Sequence, residues 1–358
     1  MFSNWFLKSF RILLLPFALL YGAIVVLRNR MYDKKILRST SFGLPLICVG
    51  NLSTGGTGKS PMVELLVKNL KGEFKVATLS RGYKRKTTGY ALASEKTTAI
   101  DIGDEPMQFY RKFPDVPVAV GEERIVAIPQ LLHDRPDTEA IILDDAFQHR
   151  SIQPGFNILL TDCNNLFTRD FFLPTGDLRD ERGSYRRAQT IVVTKCPADM
   201  SEEMRQGIVA EIEPMPTQKV YFTTIAYGTP YHLVNGEEMV LQSATEVLLV
   251  TGIANPNPLK KHLEHQTNQY HLMSYGDHHI FTIDDFKEIK KRFDGLQASN
   301  KVILTTEKDA MRLLKFAAEM DGIPFYVLPI EHRFLFGGQE AFLQTVANFI
   351  RHFKKTES

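Results

Sequence analysis

Cysteine and tryptophan are scarce in this chain of 358 residues, which has three of the first and one of the second. Cys48, Cys163 and Cys196 stand far apart in apolar or strand-like runs. That spacing excludes a disulfide framework and a thiolate metal site, and it reads as small buried residues in a reducing, cytoplasmic compartment. Net charge is nearly absent too: 43 basic side chains face 41 acidic ones, leaving +2. The global cationic excess of a nucleic-acid binder is missing, so only local clusters can carry a charge argument. Internal repeats and low-complexity tracts are lacking. Also lacking near the start is an apolar run of the ~20 residues that a helix needs to cross a bilayer core. The uncharged stretch there, Ile12 to Leu27, has sixteen residues, includes Pro16 and Gly22, and is bracketed by Lys8, Arg11, Arg28, Arg30, Lys34 and Lys35.

What is present is a chain long enough for two α/β units that fold without staples. Apolar runs of strand type recur at Leu44 to Val49, Lys75 to Leu79, Val116 to Val120, Ala140 to Leu143, Phe156 to Leu160 and Thr190 to Thr194, separated mostly by helical composition. That alternation predicts a doubly wound, largely parallel sheet. Around Tyr231 to Leu241 the pattern turns to a hairpin signal centred on Asn235-Gly236. Val247 to Val250, Tyr270 to Met273, Val302 to Thr305 and Phe325 to Leu328 then predict a second, smaller α/β set, with helices over Asp284 to Phe293 and Ala341 to Phe353. The expected division is an N-terminal membrane-associated helix at 1–35, a core at 36–228, a hairpin linker at 229–243, and a smaller α/β domain with a C-terminal helix at 244–358.

The segment from Leu46 to Ser60 reads as a buried strand, a glycine-rich turn and a helix start. Gly55, Gly56 and Gly58 let backbone N–H groups converge on phosphate oxygens, Lys59 reaches the β- and γ-phosphates, and the Ser60 hydroxyl suits Mg²⁺. Ser53, Thr54 and Thr57 complete the loop, and Ser53 stands where the strict Walker pattern has glycine. This predicts a P-loop site for ATP. The run Ala140 to Leu143 ends in Asp144 and Asp145, as a Walker-B strand does when it holds the metal. Many buried strands end in aspartate at a turn, so this pair gains its meaning from the loop.

A nucleotide site disfavours a cleaved signal at Ile12 to Leu27, because export would part it from ATP, and no small-x-small cleavage pattern follows. A short span, an apolar helix packed on the soluble body, and a helix lying in the membrane surface with its basic flanks on anionic head groups stay open. The last, on the cytosolic face, is the reading we adopt.

The run Asp144-Asp145-Ala146-Phe147-Gln148-His149, with Ser80-Arg81-Gly82-Tyr83 and Gly103-Asp104-Glu105-Pro106 upstream, resembles the tetraacyldisaccharide 4′-kinase family of lipid A synthesis. So do Leu173-Pro174 through Asp180, Thr251-Gly252-Ile253 through Pro256, Asp277-His278, and Thr305-Thr306-Glu307-Lys308-Asp309, all in the family's order. The chain departs from the family at Ala146, usually glycine, and at Asp180, usually glutamate; Glu181 is the alternative there. The resemblance implies a P-loop kinase that moves the γ-phosphate of ATP, with Mg²⁺, to the 4′-hydroxyl of a tetraacyldisaccharide 1-phosphate. It also implies an N-terminal helix at the inner membrane surface. Asp104 is then the base, paired with His278, and Asp180 stands near the metal beside Ser60, Asp144 and Asp145. Arg124 and Arg179 are expected to bind substrate, along with Arg81, Tyr83 and Glu105.

Blander readings stand beside these. Gly103 to Pro106 also suits a capped helix start. Asp277-His278-His279 also suits a polar loop, while a zinc site lacks further ligands at suitable spacing. Thr305 to Asp309 invites comparison with a guanine-reading motif, but its place in the second unit favours a structural or nucleotide-edge role. Two rival functions remain: a membrane-recruited P-loop ATPase or switch, which usually has lysine where Thr54 stands, and a soluble small-molecule kinase.

Overall fold

The computed structural model describes residues 11–353; Lys8 and the rest of the first ten residues expected in the N-terminal helix lie outside the described residues. The strands are β1 Leu46–Asn51, β2 Val76–Ser80, β3 Ala91–Leu92, β4 Val118–Val120, β5 Ala140–Asp144, β6 Phe156–Asp162 and β7 Thr190–Thr194. They continue with β8 Lys219–Tyr227, β9 Tyr231–His232, β10 Glu246–Thr251, β11 Gln269–Ser274, β12 Lys301–Thr306, β13 Phe325–Leu328 and β14 Ile330–Phe334. A nine-stranded sheet runs β14-β8-β7-β6-β1-β5-β2-β4-β3, and a five-stranded sheet runs β11-β10-β12-β13-β9. Within each sheet only the edge strands are antiparallel: β14 and β3 in the larger, β9 in the smaller. Strands β1, β2, β5 and β7 are buried along their whole length. That is why they read as continuous apolar runs rather than alternating ones.

The chain does not divide where composition suggested. After β13 it crosses back: β14 pairs with β8 in the large sheet, and the C-terminal helix Gln339–Arg351 buries Phe342, Val346, Ala347 and Ile350 in the large sheet's core. The expected boundary at 244–358 is therefore corrected, since 330–353 belongs with the first unit. Strand β14 was missed because only Ile330, His332 and Phe334 face inward, leaving Glu331 and Arg333 exposed. The Asn235-Gly236 turn forms, with Gly236 at φ 75° and the His232 N–H donating to Glu237 O at 2.8 Å. Its first arm, β9, is an edge strand of the second sheet rather than a free linker.

The helix Leu15–Asp33 buries only Ala18, Gly22 and Asn29, three positions on one narrow face. Gly22 permits the contact: a Cβ there would lie 2.6 Å from the Phe172 ring. Leu19, Leu20, Ile24 and Leu27 are exposed. By length and composition this is the one such helix among the described residues that could cross a membrane. Polar bonds nonetheless fasten it to the body near both ends and in the middle, through Arg11 to Asp177, Tyr21 to Arg179 O, and Asn29 to Asp180.

Candidate active site

The phosphate loop forms where β1 ends. Gly55 and Gly58 adopt φ of 103° and 86°, a left-handed region that a Cβ would strain. The back of the loop is tied down. Thr194 donates from Oγ1 to Thr57 O at 2.9 Å, and His332 donates from Nε2 to Gly58 O at 2.8 Å. A carbonyl only accepts, so Nε2 carries the proton and Nδ1 receives the Thr223 hydroxyl at 3.0 Å. Burial pushes the His332 imidazole down to about 4, which keeps it neutral. With these carbonyls held from behind and the Thr54 N–H donating to Asp177 O at 2.7 Å, the exposed turn at Gly55 and Gly56 is left to present N–H groups to an anion. The helix Lys59–Leu70, which follows directly, adds the positive end of its dipole. Ser53 and Ser60 are buried at the two ends of the loop, and Lys59 Nζ lies 3.3 Å from Asn51 Oδ1 and 3.7 Å from Asp145 Oδ1.

Parallel pairing of β1 with β5 sets Val49 opposite Asp144, which brings the loop and the paired aspartates together. The two carboxyls are driven apart. Burial pushes Asp145 up, but Lys59 and Arg179 outweigh it and hold the group below the usual range. Arg179 grips both Asp145 oxygens, with Nη1 at 3.1 Å from Oδ2, and also reaches Asn51. Asp144 is pushed up to about 7 by burial and by Glu105 and Asp145. Its Oδ2 receives the Ser80 hydroxyl at 3.4 Å, while its buried Oδ1 has no partner. A buried carboxylate oxygen without a donor carries a desolvation cost that a cation would remove, so this corner fits Mg²⁺. Among the described residues no three His, Cys, Asp or Glu side chains gather into a cage of their own.

Across the cleft, Asp104 opens the helix Asp104–Lys112 just after Gly103, whose φ is 94°. His278, from the second unit, sits at φ 60° with Nδ1 3.6 Å from Asp104 Oδ2. Its N–H donates to Gly252 O at 3.1 Å, and the Gly252 N–H donates to Asp309 Oδ2 at 3.0 Å. The motifs around Thr251, His278 and Thr305 thus interlock. The exposed Tyr83 ring stands edge-on to His278 at 5.9 Å. Electrostatic influence crosses the cleft: Glu105 is pushed up by burial but held down overall by Lys308 and then Lys59.

Several expected roles change. Arg124 is 2 % exposed and turns inward to Gly121 O and Asp144 O, so it braces the end of β5 and cannot meet an anionic head group. Asp180 accepts from Asn29, Ser184 and Arg187, which commits it to the N-terminal helix and its surroundings rather than to the metal corner; Glu181 also accepts from Asn29. Arg179 faces Asp145, and Glu105 faces Lys308, so neither projects freely toward a substrate. Arg81 and Tyr83 remain exposed. Burial, together with Arg124, Arg28 and Arg81, pushes His149 down to about 4, so the N-terminal helix and the Arg81 loop share its surroundings. Sequence reasoning missed His332 and Arg312, and it named Lys308 only within the Thr305 to Asp309 motif, without its partner Glu105. The alternation Ile330, His332, Phe334 was the only available signal for the first.

The family model for Tetraacyldisaccharide-1-P 4'-kinase matches residues 10–351. The chain is 44% identical to a tetraacyldisaccharide 4'-kinase of Bacteroides thetaiotaomicron, covering 96% of this chain and 94% of that one. It is 42% identical to the Flavobacterium johnsoniae enzyme of the same name, covering 95% and 97%. A crystal structure of "apo" form LpxK from Aquifex aeolicus in complex with ATP superposes with a TM-score of 0.75 at 28% identity, covering 95% of this chain and 99% of that chain.

Proposed function

The chain belongs to the tetraacyldisaccharide-1-phosphate 4′-kinase family, and from that premise we propose how its residues move a phosphoryl group from ATP to a membrane-bound acceptor. The protein is a kinase of lipid A synthesis that phosphorylates the 4′-hydroxyl of the tetraacyldisaccharide 1-phosphate. ATP is the donor. The loop from Ser53 to Ser60 holds its phosphates, and Lys59 neutralises charge that grows on the β–γ bridge and on the transferring group. Mg²⁺, held by Ser60, Asp144 and Asp145, supplies further charge neutralisation when bound. Arg179 keeps Asp145 ionised and oriented.

Asp104 takes the proton from the 4′-hydroxyl as its oxygen attacks the γ-phosphorus and ADP leaves; His278 is the residue paired with this carboxylate, its Nδ1 3.6 Å from Oδ2. Because Asp104 and His278 come from different units, the reacting geometry forms only when both are docked, which keeps water from consuming ATP. Tyr83, edge-on to His278, and Arg81, exposed two residues before it, bind the phosphorylated sugar by ring stacking and guanidinium contact.

The observation that carries the lipid acceptor is the N-terminal helix. Its Tyr21 hydroxyl donates to Arg179 O at 3.1 Å while Arg179 grips Asp145, so an exposed apolar face lies one residue from the metal corner. A soluble-substrate kinase has no use for that placement. The bonds along its length favour a helix lying in the cytoplasmic surface of the inner membrane over one that crosses it, since a crossing helix would drag Arg11, Asn29 and their partners into hydrocarbon.

The direct test is transfer of labelled γ-phosphate from Mg·ATP to a tetraacylated glucosamine disaccharide 1-phosphate in micelles, against water as acceptor. Labelled lipid is expected. Slow hydrolysis with no labelled lipid, from folded protein, would instead indicate a switch ATPase.

A further inference from the structure

The helix Glu307–Leu313 carries most of the motif whose role the sequence left open, and it packs against the helix that begins with Asp104. Adjacent residues of this helix reach opposite ends of its neighbour: Glu307 pairs with Lys112 and Lys308 with Glu105. One turn on, Arg312 is 9 % exposed and has every guanidinium nitrogen engaged. Nε donates to Asp104 Oδ2 at 2.7 Å, Nη2 lies 2.6 Å from the same oxygen, and Nη1 donates to Asp309 Oδ1 at 3.0 Å. Nη2 also stands 3.2 Å from His278 Nδ1.

We infer that Arg312 is a positioning residue for the phosphoryl acceptor's base, joining Asp104 to His278 through its guanidinium; this rests on the assignment of those two residues above. Direct contact does not join them, because 3.6 Å between His278 Nδ1 and Asp104 Oδ2 is too long for a hydrogen bond. A guanidinium has no acceptor, so Nδ1 of His278 presents its lone pair to Arg312 and the imidazole proton sits on Nε2, 3.9 Å from Asp277 Oδ2. The polar contacts described for the Asp104 carboxylate all fall on Oδ2. Arg312 therefore selects the working oxygen: it occupies Oδ2 and leaves Oδ1 to receive the substrate proton. Asp309 fixes the guanidinium plane from behind, being itself held by Thr306 Oγ1 at 2.7 Å and by the Gly252 N–H. The motif is thus a clasp between units that sets the rotamer of the base.

The test compares Arg312→Gln, Arg312→Lys and Arg312→Ala with the parent, in the full-length protein, by kcat, by KM for ATP and by KM for the lipid acceptor. Arg312→Gln should lower kcat by about 10²-fold with KM for ATP held within about threefold, the signature of lost orientation rather than lost binding. Arg312→Lys should recover part of that loss, and added guanidinium ion should partly restore Arg312→Ala. Combined with His278→Ala, Arg312→Gln should cost less than about threefold more, because the two act as a unit. Retention of kcat within threefold in Arg312→Gln, or losses that multiply in the double variant, overturns the inference. Should Arg312→Ala not fold, as judged by ATP binding to the separate phosphate loop, the Gln and Lys variants decide the matter alone. Controls with Asp104→Asn and His278→Ala separate the two levels. Full activity in those would sink the base assignment; their inactivity beside an unaffected Arg312→Gln would sink only this inference.

Discussion

The two walls of the cleft are built by opposite means. The phosphate wall comes from one sheet: β1 and β5 are parallel neighbours, and their register delivers the loop and the paired aspartates to the same edge. The hydroxyl wall is assembled across two units by side chains, with Asp104 and Glu105 on one and His278, Lys308 and Arg312 on the other. Backbone pairing positions the first, and ion pairs position the second. A wall made of ladder hydrogen bonds is rigid by construction. A wall made of ion pairs holds its geometry only while the two units stay docked.

The largest expected effects separate the walls directly. Lys59→Ala should lower kcat by ~10²–10³-fold through lost stabilisation of transferring charge. Asp104→Asn should lower it by ~10²–10⁴-fold while ATP affinity, measured by equilibrium binding, stays near the parent value. If Asp104→Asn weakened ATP binding tenfold and spared turnover, the division into walls would fail.

A smaller effect probes the seam. Lys112 bridges the buried Glu64 and Glu307, which belong to the two units, and Glu307 also accepts from the Ile330 N–H. Removing the shared cation leaves two buried carboxylates facing each other, so Lys112→Met should cost about 3 kcal/mol in urea denaturation. A loss under 1 kcal/mol would mean that water reaches the pair and that the seam is looser than the contacts suggest.

The exposed apolar face of the N-terminal helix should matter less, and only for one substrate. Replacing Leu19 and Leu20, 66% and 63% exposed, by glutamine should reduce transfer to vesicle-embedded acceptor about tenfold in kcat/KM. ATP binding should not change. Equal loss with a short-chain, water-soluble acceptor would show that the helix supports the fold rather than the membrane encounter.

The smallest effect concerns pH. Burial and Glu307 push Glu64 up to about 7, above its unfolded value. Stability from that group is then present at pH below about 4.5 and is lost as pH rises through about 7. Glu64→Gln cannot lose it, so its Tm relative to the parent should climb between pH 5 and pH 8. A difference that stays flat over that range would place the titration elsewhere.

The phosphate wall was largely readable in sequence. Gly55, Gly58, Lys59 and Ser60 fall within one short stretch of chain, and the strands at Thr190–Thr194 and Phe325–Leu328 fall where the apolar runs predict. Local chemistry needs local residues, and fully buried strands announce themselves by composition. The hydroxyl wall was readable only in part, through the resemblance that named Asp104 and His278. Arg312 and Lys308 gave no separate signal, because an ion pair between residues some two hundred positions apart leaves no spacing to read. Arg124 and Asp180 were misjudged for a related reason. A charged side chain in sequence looks exposed, and only packing reveals that Arg124 turns inward to carbonyls behind β5 and that Asp180 is held by Asn29.

The sequence by itself determined the phosphate loop, the strand after strand of a parallel sheet, the apolar N-terminal helix and the burial of its three free cysteines, because each depends on residues near one another in the chain. Tertiary structure alone decided that β14 returns to the first sheet to set His332 behind Gly58, that Arg312 joins Asp104 to His278, and that the N-terminal helix docks beside Arg179. Those depend on which distant segments share a surface, and that is settled by burial of both partners together rather than by the pattern of either.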